Sequence, residues 1–391
     1  MTELLLVGPR DGPLTTCQRL VRAQSPDWSV LHCADTNSAL ERLEQRPADI
    51  VLACFEEITE YESLFAQLSE SSPGAIRLAL FETLPSRVKG AHQSLATRGD
   101  LRDLHPILLA SAAVSAKSAQ HEGLKNIVSR FQDVPSPPLL YFDIREQLDN
   151  ATGTAASMAE IASRDPALVA RTLRIANSGF YARSRSVGDL TDAIGLIGTE
   201  TLLGLVLAAH LYTGLPPPGL RLETIWQHTF EVSELARQIA RIEGGDRHDV
   251  GHSFIAGLLH DIGLMVLLQN ESARYQPMFQ KSGGVESELA RMEGETFGIT
   301  HGELGALILM LWNLPAAIVD AVADSHASSE DNGSSGHTFP LPSRAVMAAE
   351  WLLDRKLPRD ADSLPSPLSG TPEASLHNWF EARDQLVSRN C

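Results

Sequence analysis

At 391 residues the chain is longer than one hydrophobic core usually organises, so two or three domains are expected. Its formal net charge of -17 sets up an average field that repels phosphate backbones and anionic lipid, which argues against nucleic-acid binding as the main activity, and the longest apolar stretch, Leu202–Leu215, falls short of the roughly 20 residues that span a bilayer. Cys17, Cys33, Cys54 and Cys391 are scattered with no Cys-x-x-Cys pair, so neither a zinc knuckle nor a disulfide framework is suggested, and reduced thiols in a cytoplasmic protein are the simplest expectation.

The start, Met-Thr-Glu-Leu-Leu-Leu-Val-Gly, lacks a basic leader and reads as a first strand. Short β-type runs follow at Leu4–Val7, Ser29–Cys33, Asp49–Cys54 and Arg77–Phe81, alternating with helical stretches such as Asn37–Gln45 and Tyr61–Ser69. Such alternation predicts a parallel α/β sheet over residues 1–117. A polar stretch, Ser118 to Asp133, leads into Val134-Pro-Ser-Pro-Pro-Leu, whose prolines end any helix, so 118–138 reads as a linker. From 139 to about 355 apolar residues recur at helical spacing, which predicts an all-helical domain. Asp165-Pro166 supplies a helix start there, and Ala176-Asn177-Ser178-Gly179 a helix end with glycine as its cap. Gly195-Leu-Ile-Gly198 lacks the lysine of a phosphate loop, so close helix packing is its expected role. Arg171, Arg174, Arg183 and Arg185 read as a solvated basic face. Ser328–His337 reads as a flexible loop, and residues 356–391 as a Pro- and Ser-rich segment closed by an amphipathic helix, His377–Ser388, expected to dock on its own chain.

One ordered set of ionisable residues stands out: His228, then Gly-Leu-Leu-His260-Asp261-Ile-Gly, then His301 and His326. Asp261 lies in the apolar context Leu258-Leu-His-Asp-Ile-Gly-Leu and needs a partner, because an unpaired buried carboxylate costs several kcal/mol or neutralises. A divalent metal held with the histidines would meet that need, and so would a hydrogen-bonded network linking helices.

The first 117 residues resemble the response-regulator receiver fold, with Pro47–Cys54 as the third strand and Gly90-Ala-His-Gln-Ser-Leu-Ala-Thr-Arg near the fifth. The resemblance implies a flavodoxin-like, doubly wound domain, but its phosphorylation chemistry is missing. Gly8 and Pro9 stand at the acidic-pair positions, Cys54 at the phosphoacceptor, Phe81 at the hydroxyl position and Thr97 at the lysine position. A thiol forms no acyl phosphate, and without carboxylates nothing holds magnesium. Cys54 is expected to be a small residue ending a buried strand, and the domain to serve docking or dimerisation.

From Val134 to about Leu353 the chain resembles the HDOD family, relatives of the HD and HD-GYP phosphohydrolases. The segments that carry this are Ile161-Ala-Ser-Arg-Asp-Pro-Ala-Leu, Ile175-Ala-Asn-Ser-Gly-Phe-Tyr, Trp226-Gln-His228, Ala256-Gly-Leu-Leu-His-Asp-Ile-Gly and Trp312-Asn-Leu-Pro. The resemblance implies that His228 matches a first metal ligand, His260-Asp261 the doublet, and His301 and His326 extra histidines. Glu350 stands in register with a late aspartate, one methylene longer. Leu264 replaces a lysine common in catalytic relatives, and no Gly-Tyr-Pro follows His326, which disfavours cyclic dinucleotide hydrolysis. The expectation is a bacterial two-component signalling regulator whose unphosphorylated pseudo-receiver feeds a non-catalytic helical output domain. It would act through contacts with other signalling proteins, with a small ligand or homodimerisation as further options. The alternative is a metal-dependent phosphohydrolase acting on a nucleotide or cyclic nucleotide.

Overall fold

The structure is a computed structural model and describes residues 2–81, 88–96, 104–130, 134–149, 153–178, 181, 186–211, 222–283, 285–326, 339–354, 368 and 371–390. The amino-terminal part runs β1 (Glu3–Val7), α1 (Pro13–Gln24), β2 (Ser29–Cys33), α2 (Thr36–Gln45), β3 (Ile50–Ala53), α3 (Ile58–Ser71), β4 (Ile76–Phe81), β5 (Gln93–Ala96), α4 (Leu104–Gln120) and α5 (Glu122–Arg130). The strands form one parallel sheet in the order β2-β1-β3-β4-β5. This is the flavodoxin-like order, with its topological switch at β1 and β3. β1, β3 and β4 are buried along their whole length, as continuous Leu, Ile and Val runs covered on both faces require.

Gly8, at the switch, has φ +137, and a Cβ there would stand 2.1 Å from the Cys54 carbonyl oxygen. The close approach of β1 to the end of β3 therefore admits only glycine. Cys54 itself is partly buried at the mouth of the sheet, and Phe81 ends β4 with its ring 4.4 Å from that of Tyr61. The Tyr61 hydroxyl donates to Leu80 O (2.6 Å) and accepts from the Phe55 amide (2.8 Å). Aromatic rings thus pack between the ends of β3 and β4, where a receiver keeps its phosphorylation chemistry. Thr97 lies outside the described residues, as do Gly179, Arg183, Arg185 and Ser328–His337.

The helical part comprises α6 (Leu139–Asp149), α7 (Ala155–Ala162), α8 (Pro166–Ala176), α9 (Leu190–Ile197), α10 (Thr199–Leu211), α11 (Leu222–Ile242), α12 (Arg247–Leu259), α13 (Ile262–Asn270), α14 (Ser272–Ser282) and α15 (Glu286–Phe297). It continues with α16 (His301–Leu311), α17 (Ala316–Ala323), α18 (Leu341–Leu353) and α19 (Glu373–Asn390). Asp165 caps α8 by accepting from Ala167 and Leu168 amides. At the other end of α8 the cap residue is Asn177, whose side-chain amide donates to Leu173 O. Gly195 and Gly198 have open space where a Cβ would project, so close packing is not their role. Gly198 instead takes φ +87 at a bend of 107° between α9 and α10.

α11 lies along α12 and α18, and α13 crosses α16. The α12–α13 run, Arg247–Asn270, is the one unbent helical span among the described residues long and apolar enough to cross a membrane, and 89% of its apolar window is buried inside the protein. α19 docks back on α11 and α18, burying Leu376, Trp379 and Leu386, and the Trp379 indole donates to Glu243 Oε1 (3.1 Å).

The chain between sheet and bundle is held on both sides. Arg77, fully buried on β4, donates from Nε to Gly90 O (2.6 Å) and from Nη2 to Val128 O on α5 (3.2 Å). Trp312 Nε1 donates to Pro135 O (3.0 Å), and the Ser94 amide to Ser136 Oγ (2.9 Å). α4 packs on α16 and α5 on α15, and one apolar core runs from β1 to α19.

Candidate metal centre

Helix α12 ends at His260, which still has helical backbone angles, and α13 begins after Asp261 at φ -90, ψ 10. That short break places both side chains on the inner side of the bundle. Asp261 occupies an N-cap position, where a carboxylate ordinarily accepts backbone N–H groups, yet it makes no capping bond. Its oxygens face histidines instead: Oδ1 lies 3.3 Å from His260 Nε2 and 3.8 Å from His301 Nε2, and Oδ2 lies 4.0 Å from His228 Nε2. Ligand atoms of His228, His260 and Asp261 fall within 4.8 Å of one another, and so do those of Asp261, His301 and His326. Asp261 belongs to both groups.

Glu350, on α18, reaches the cluster: its Oε1 is 2.9 Å from His260 Nε2 and 3.3 Å from His228 Nε2.

The supporting contacts orient the imidazoles. His260 Nδ1 lies 2.7 Å from Gly257 O and donates to it, which leaves Nε2 as the inward nitrogen. His301 Nδ1 donates to Glu293 on α15 (2.8 Å to Oε2), and Glu293 also accepts from the His301 amide (2.8 Å) and the Tyr275 hydroxyl. This is the carboxylate–histidine pairing that fixes ring orientation in metal sites. Sequence reasoning does not find Glu293 or Tyr275; the available signal is that Glu293 interrupts the buried stripe Leu289, Met292, Phe297 of α15. Glu293→Gln keeps the shape but weakens this support, and is expected to lower divalent-metal affinity by about 10–100-fold, measured by competition with a chelating dye.

The histidine Nε2 atoms of residues 260, 301 and 326 and Glu350 Oε1 are buried and make no well-directed hydrogen bond. Burial alone would lower His228, His260 and His301, but the neighbouring carboxylates outweigh it. Glu350 and Asp261 hold His228 at about 9 and His260 at about 10, and Glu293 holds His301 at about 9. Burial and the adjacent His301 push His326 down to about 3. Against burial, the histidines hold Asp261 below and Glu350 well below the usual carboxylate range. Glu286, at the start of α15, is pushed up to about 7 by burial and by Asp261.

These directions fix a pH response of the metal-free protein. The raised histidines contribute stability that is complete below their ordinary value of 6.5 and is lost as pH rises through about 9 to 10. The depressed carboxylates and His326 act oppositely, and their contribution is lost as pH falls below about 6 toward 3. Thermal unfolding of chelator-treated protein is expected to show Tm falling between pH 7 and pH 10, and falling less once metal occupies the histidines. A flat profile would contradict this charge arrangement.

Fold and site together define an HD-superfamily helical domain. Residues 134–328 match the HDOD domain family, so the chain carries an HDOD domain. An HDOD domain protein of unknown function from Geobacter sulfurreducens is similar at 20% identity, over 73% of this chain and 93% of that one, with TM-score 0.51. A candidate metal-dependent phosphohydrolase from Shewanella amazonensis SB2B is similar at 16% identity, over 71% and 98% of the two chains, with TM-score 0.50. Likeness to the MmoQ response regulator of Methylococcus capsulatus str. Bath is weaker in structure: 24% identity over 62% of this chain and 95% of that one, TM-score 0.34. A Treponema pallidum (strain Nichols) protein is 23% identical over 205 residues, which is 51% of this chain and 39% of that protein's length.

The expectation of a non-catalytic output domain does not survive this geometry. An inert polar network would satisfy its own donors and acceptors. Here His260 pairs with Glu350, but the inward nitrogens of His301 and His326 make no hydrogen bond, and together with His228 these imidazoles stand around Asp261 in two groups of metal-ligand geometry.

Proposed function

We propose that the helical domain is a metal-dependent phosphohydrolase acting on a nucleotide or cyclic nucleotide, controlled by a receiver-like domain that takes no phosphate. The observation that carries this reading is the convergence of His228, His260, His301 and His326 on Asp261 in two groups of metal-ligand geometry, with Glu350 beside His228 and His260. The donor set fits a divalent first-row ion: imidazole and carboxylate, with no thiolate. His228, His260, Asp261 and Glu350 would hold one ion, and Asp261, His301 and His326 a second. Such ions, when bound, supply Lewis acidity toward phosphoryl oxygens and lower the pKa of coordinated water.

The chain's own residues do the rest. Glu293 and the Gly257 carbonyl hold protons on the outer nitrogens of His301 and His260, so a bound ion would displace the proton of each inner nitrogen. His260 and His301 are fully buried while the His228 side chain is 37% exposed, so substrate enters on the α11 side. Leu264 brings no cation to the site, which favours a singly charged cyclic phosphodiester over a polyphosphate. The likeness to the Shewanella protein supports the same reading.

For the amino-terminal domain, absent carboxylates at Gly8, Pro9 and Cys54, together with the Tyr61 and Phe81 rings at the mouth of the sheet, support an input other than phosphorylation. Docking of other signalling proteins in the cytoplasm, or a second copy of the chain, is the input proposed.

The test is turnover of bis(p-nitrophenyl) phosphate, then of 2′,3′- and 3′,5′-cyclic nucleotides and nucleoside monophosphates, by protein stripped of metal and reloaded with Mn²⁺. Turnover that appears on loading and disappears on chelation is expected. A loaded protein inert toward all of them would contradict the proposal.

A further inference from the structure

Helix α5 ends the receiver-like part, yet its amino end meets the corner of the bundle that carries His301. Gly123, the second residue of α5, lies against Gly298: a Cβ on Gly123 would stand 2.6 Å from the Gly298 carbonyl oxygen and 2.7 Å from its Cα, and a Cβ on Gly298 would stand 2.9 Å from Gly123 Cα. These are backbone atoms, so the segments touch main chain to main chain and no side chain can turn aside. A glycine within a helix costs about 1 kcal/mol against alanine, and this crossing accounts for Gly123.

Gly298 is the C-cap of α15, and His301 opens α16 three residues later. The stretch between them is held at each step. The Gly298 amide donates to Gly294 O (3.0 Å), Ile299 is buried, and the Thr300 hydroxyl caps α16 by accepting from the Glu303 amide (3.2 Å). α14 grips the same corner, with Arg274 Nη2 donating to Thr296 O (3.1 Å). Toward its carboxyl end α5 is tied to the sheet. His92 Nδ1 accepts from the Arg77 amide (2.9 Å), so Nε2 carries the proton and donates to Val128 O (2.9 Å), the carbonyl that Arg77 Nη2 also binds (3.2 Å).

We propose that α5 is a positioning strut for His301: the Gly123–Gly298 contact sets where His301 stands relative to Asp261, and the hold of His92 and Arg77 on Val128 makes that placement depend on the receiver-like domain. Close-packed interiors pass a displacement on rather than absorb it. The functional consequence rests on the paired-metal reading above. The strut governs the position formed by Asp261, His301 and His326, and leaves His228, His260 and Glu350 in place.

The experiment takes two readouts on the full-length protein: amide hydrogen exchange over residues 299–303 in the metal-stripped form, and equilibrium Mn²⁺ binding. Wild type is compared with Gly123→Ala, with His92→Ala, which frees α5 at its sheet end, and with Asn126→Ala at an exposed α5 position as control. Circular dichroism confirms that each is folded. Gly123→Ala and His92→Ala are each expected to lose protection at the His301 amide, which donates to Glu293 (2.8 Å), and to bind one of two Mn²⁺ ions about 10–100-fold more weakly with the other unchanged. Asn126→Ala should match wild type. A helix that only adds stability would lower Tm without separating the two ions or exposing this segment. Wild-type protection and affinity in folded Gly123→Ala would overturn the strut, and the same result in His92→Ala alone would overturn its dependence on the receiver-like domain. Should wild type take up no Mn²⁺, the paired-metal reading falls, and the exchange comparison still decides whether α5 positions His301.

Discussion

Asp261→Ala is expected to empty both candidate metal positions and to lower phosphoester turnover by more than about 100-fold, the upper end of the loss seen when only an outer-shell partner of a metal ligand is removed. The expectation follows from Asp261 being the one residue common to both ligand groups. Its oxygens also stand within 4.0 Å of three histidines, so their inward nitrogens lose the anion between them. Removing one partner from a buried charged set costs about 3–5 kcal/mol, so the alanine variant will also melt earlier. Asp261→Asn separates the two effects: it keeps the shape, binds metal poorly and should still fold. Metal content and turnover of both variants, measured beside circular dichroism, check this. Either variant retaining metal and activity would show that Asp261 is only a structural anion.

Gly263→Ala, two residues on, is expected to destabilise the fold by about 3 kcal/mol, as forced overpacking at a fixed contact does. A Cβ at this position would stand 1.9 Å from the His301 carbonyl oxygen and 2.8 Å from the Gly305 nitrogen. Both are backbone atoms of α16, so no side chain can turn aside, and α13 and α16 must separate. That separation moves His301 off Asp261, so metal affinity falls with stability. The control is Gly195→Ala on α9, where a Cβ meets nothing within 4 Å and the change should stay within about 0.5 kcal/mol of wild type or stabilise the helix. Urea unfolding of the two variants distinguishes them; coincident transitions would mean that the α13–α16 contact is looser than described.

This glycine shows what is legible from sequence and what is not. His-Asp-x-Gly is visible as a motif, but the reason for its glycine is a helix crossing thirty-eight residues away in sequence. The strands are legible because β1, β3 and β4 are buried on both faces and therefore spell mostly apolar runs, broken only by Glu3 and the buried Arg77. α5 was not: Glu122–Arg130 reads as polar, because only Leu124, Ile127 and Val128 face the core. In the site, His228, His260, Asp261, His301 and His326 announce themselves as rare ionisable residues in apolar surroundings. That Glu350 reaches His228 and His260 depends on how α18 lies against α11 and α12, a tertiary fact. Glu293 and Tyr275 act on His301 through the packing of α14 and α15 against α16, and Glu293 is hidden in a surface-like Glu-rich segment. Single departures such as Leu264 and the missing Gly-Tyr-Pro argue against catalysis only locally and say nothing about whether the remaining donors converge.

The most direct measurement is elemental analysis of the full chain, purified without chelator or affinity-tag metal, beside Asp261→Asn prepared identically. A shared carboxylate between two histidine groups predicts close to two divalent ions per wild-type chain and a near-complete loss of both in the variant. Wild-type protein free of metal, and unable to take up Mn²⁺ when it is supplied, would contradict the metal centre and the phosphohydrolase reading built on it.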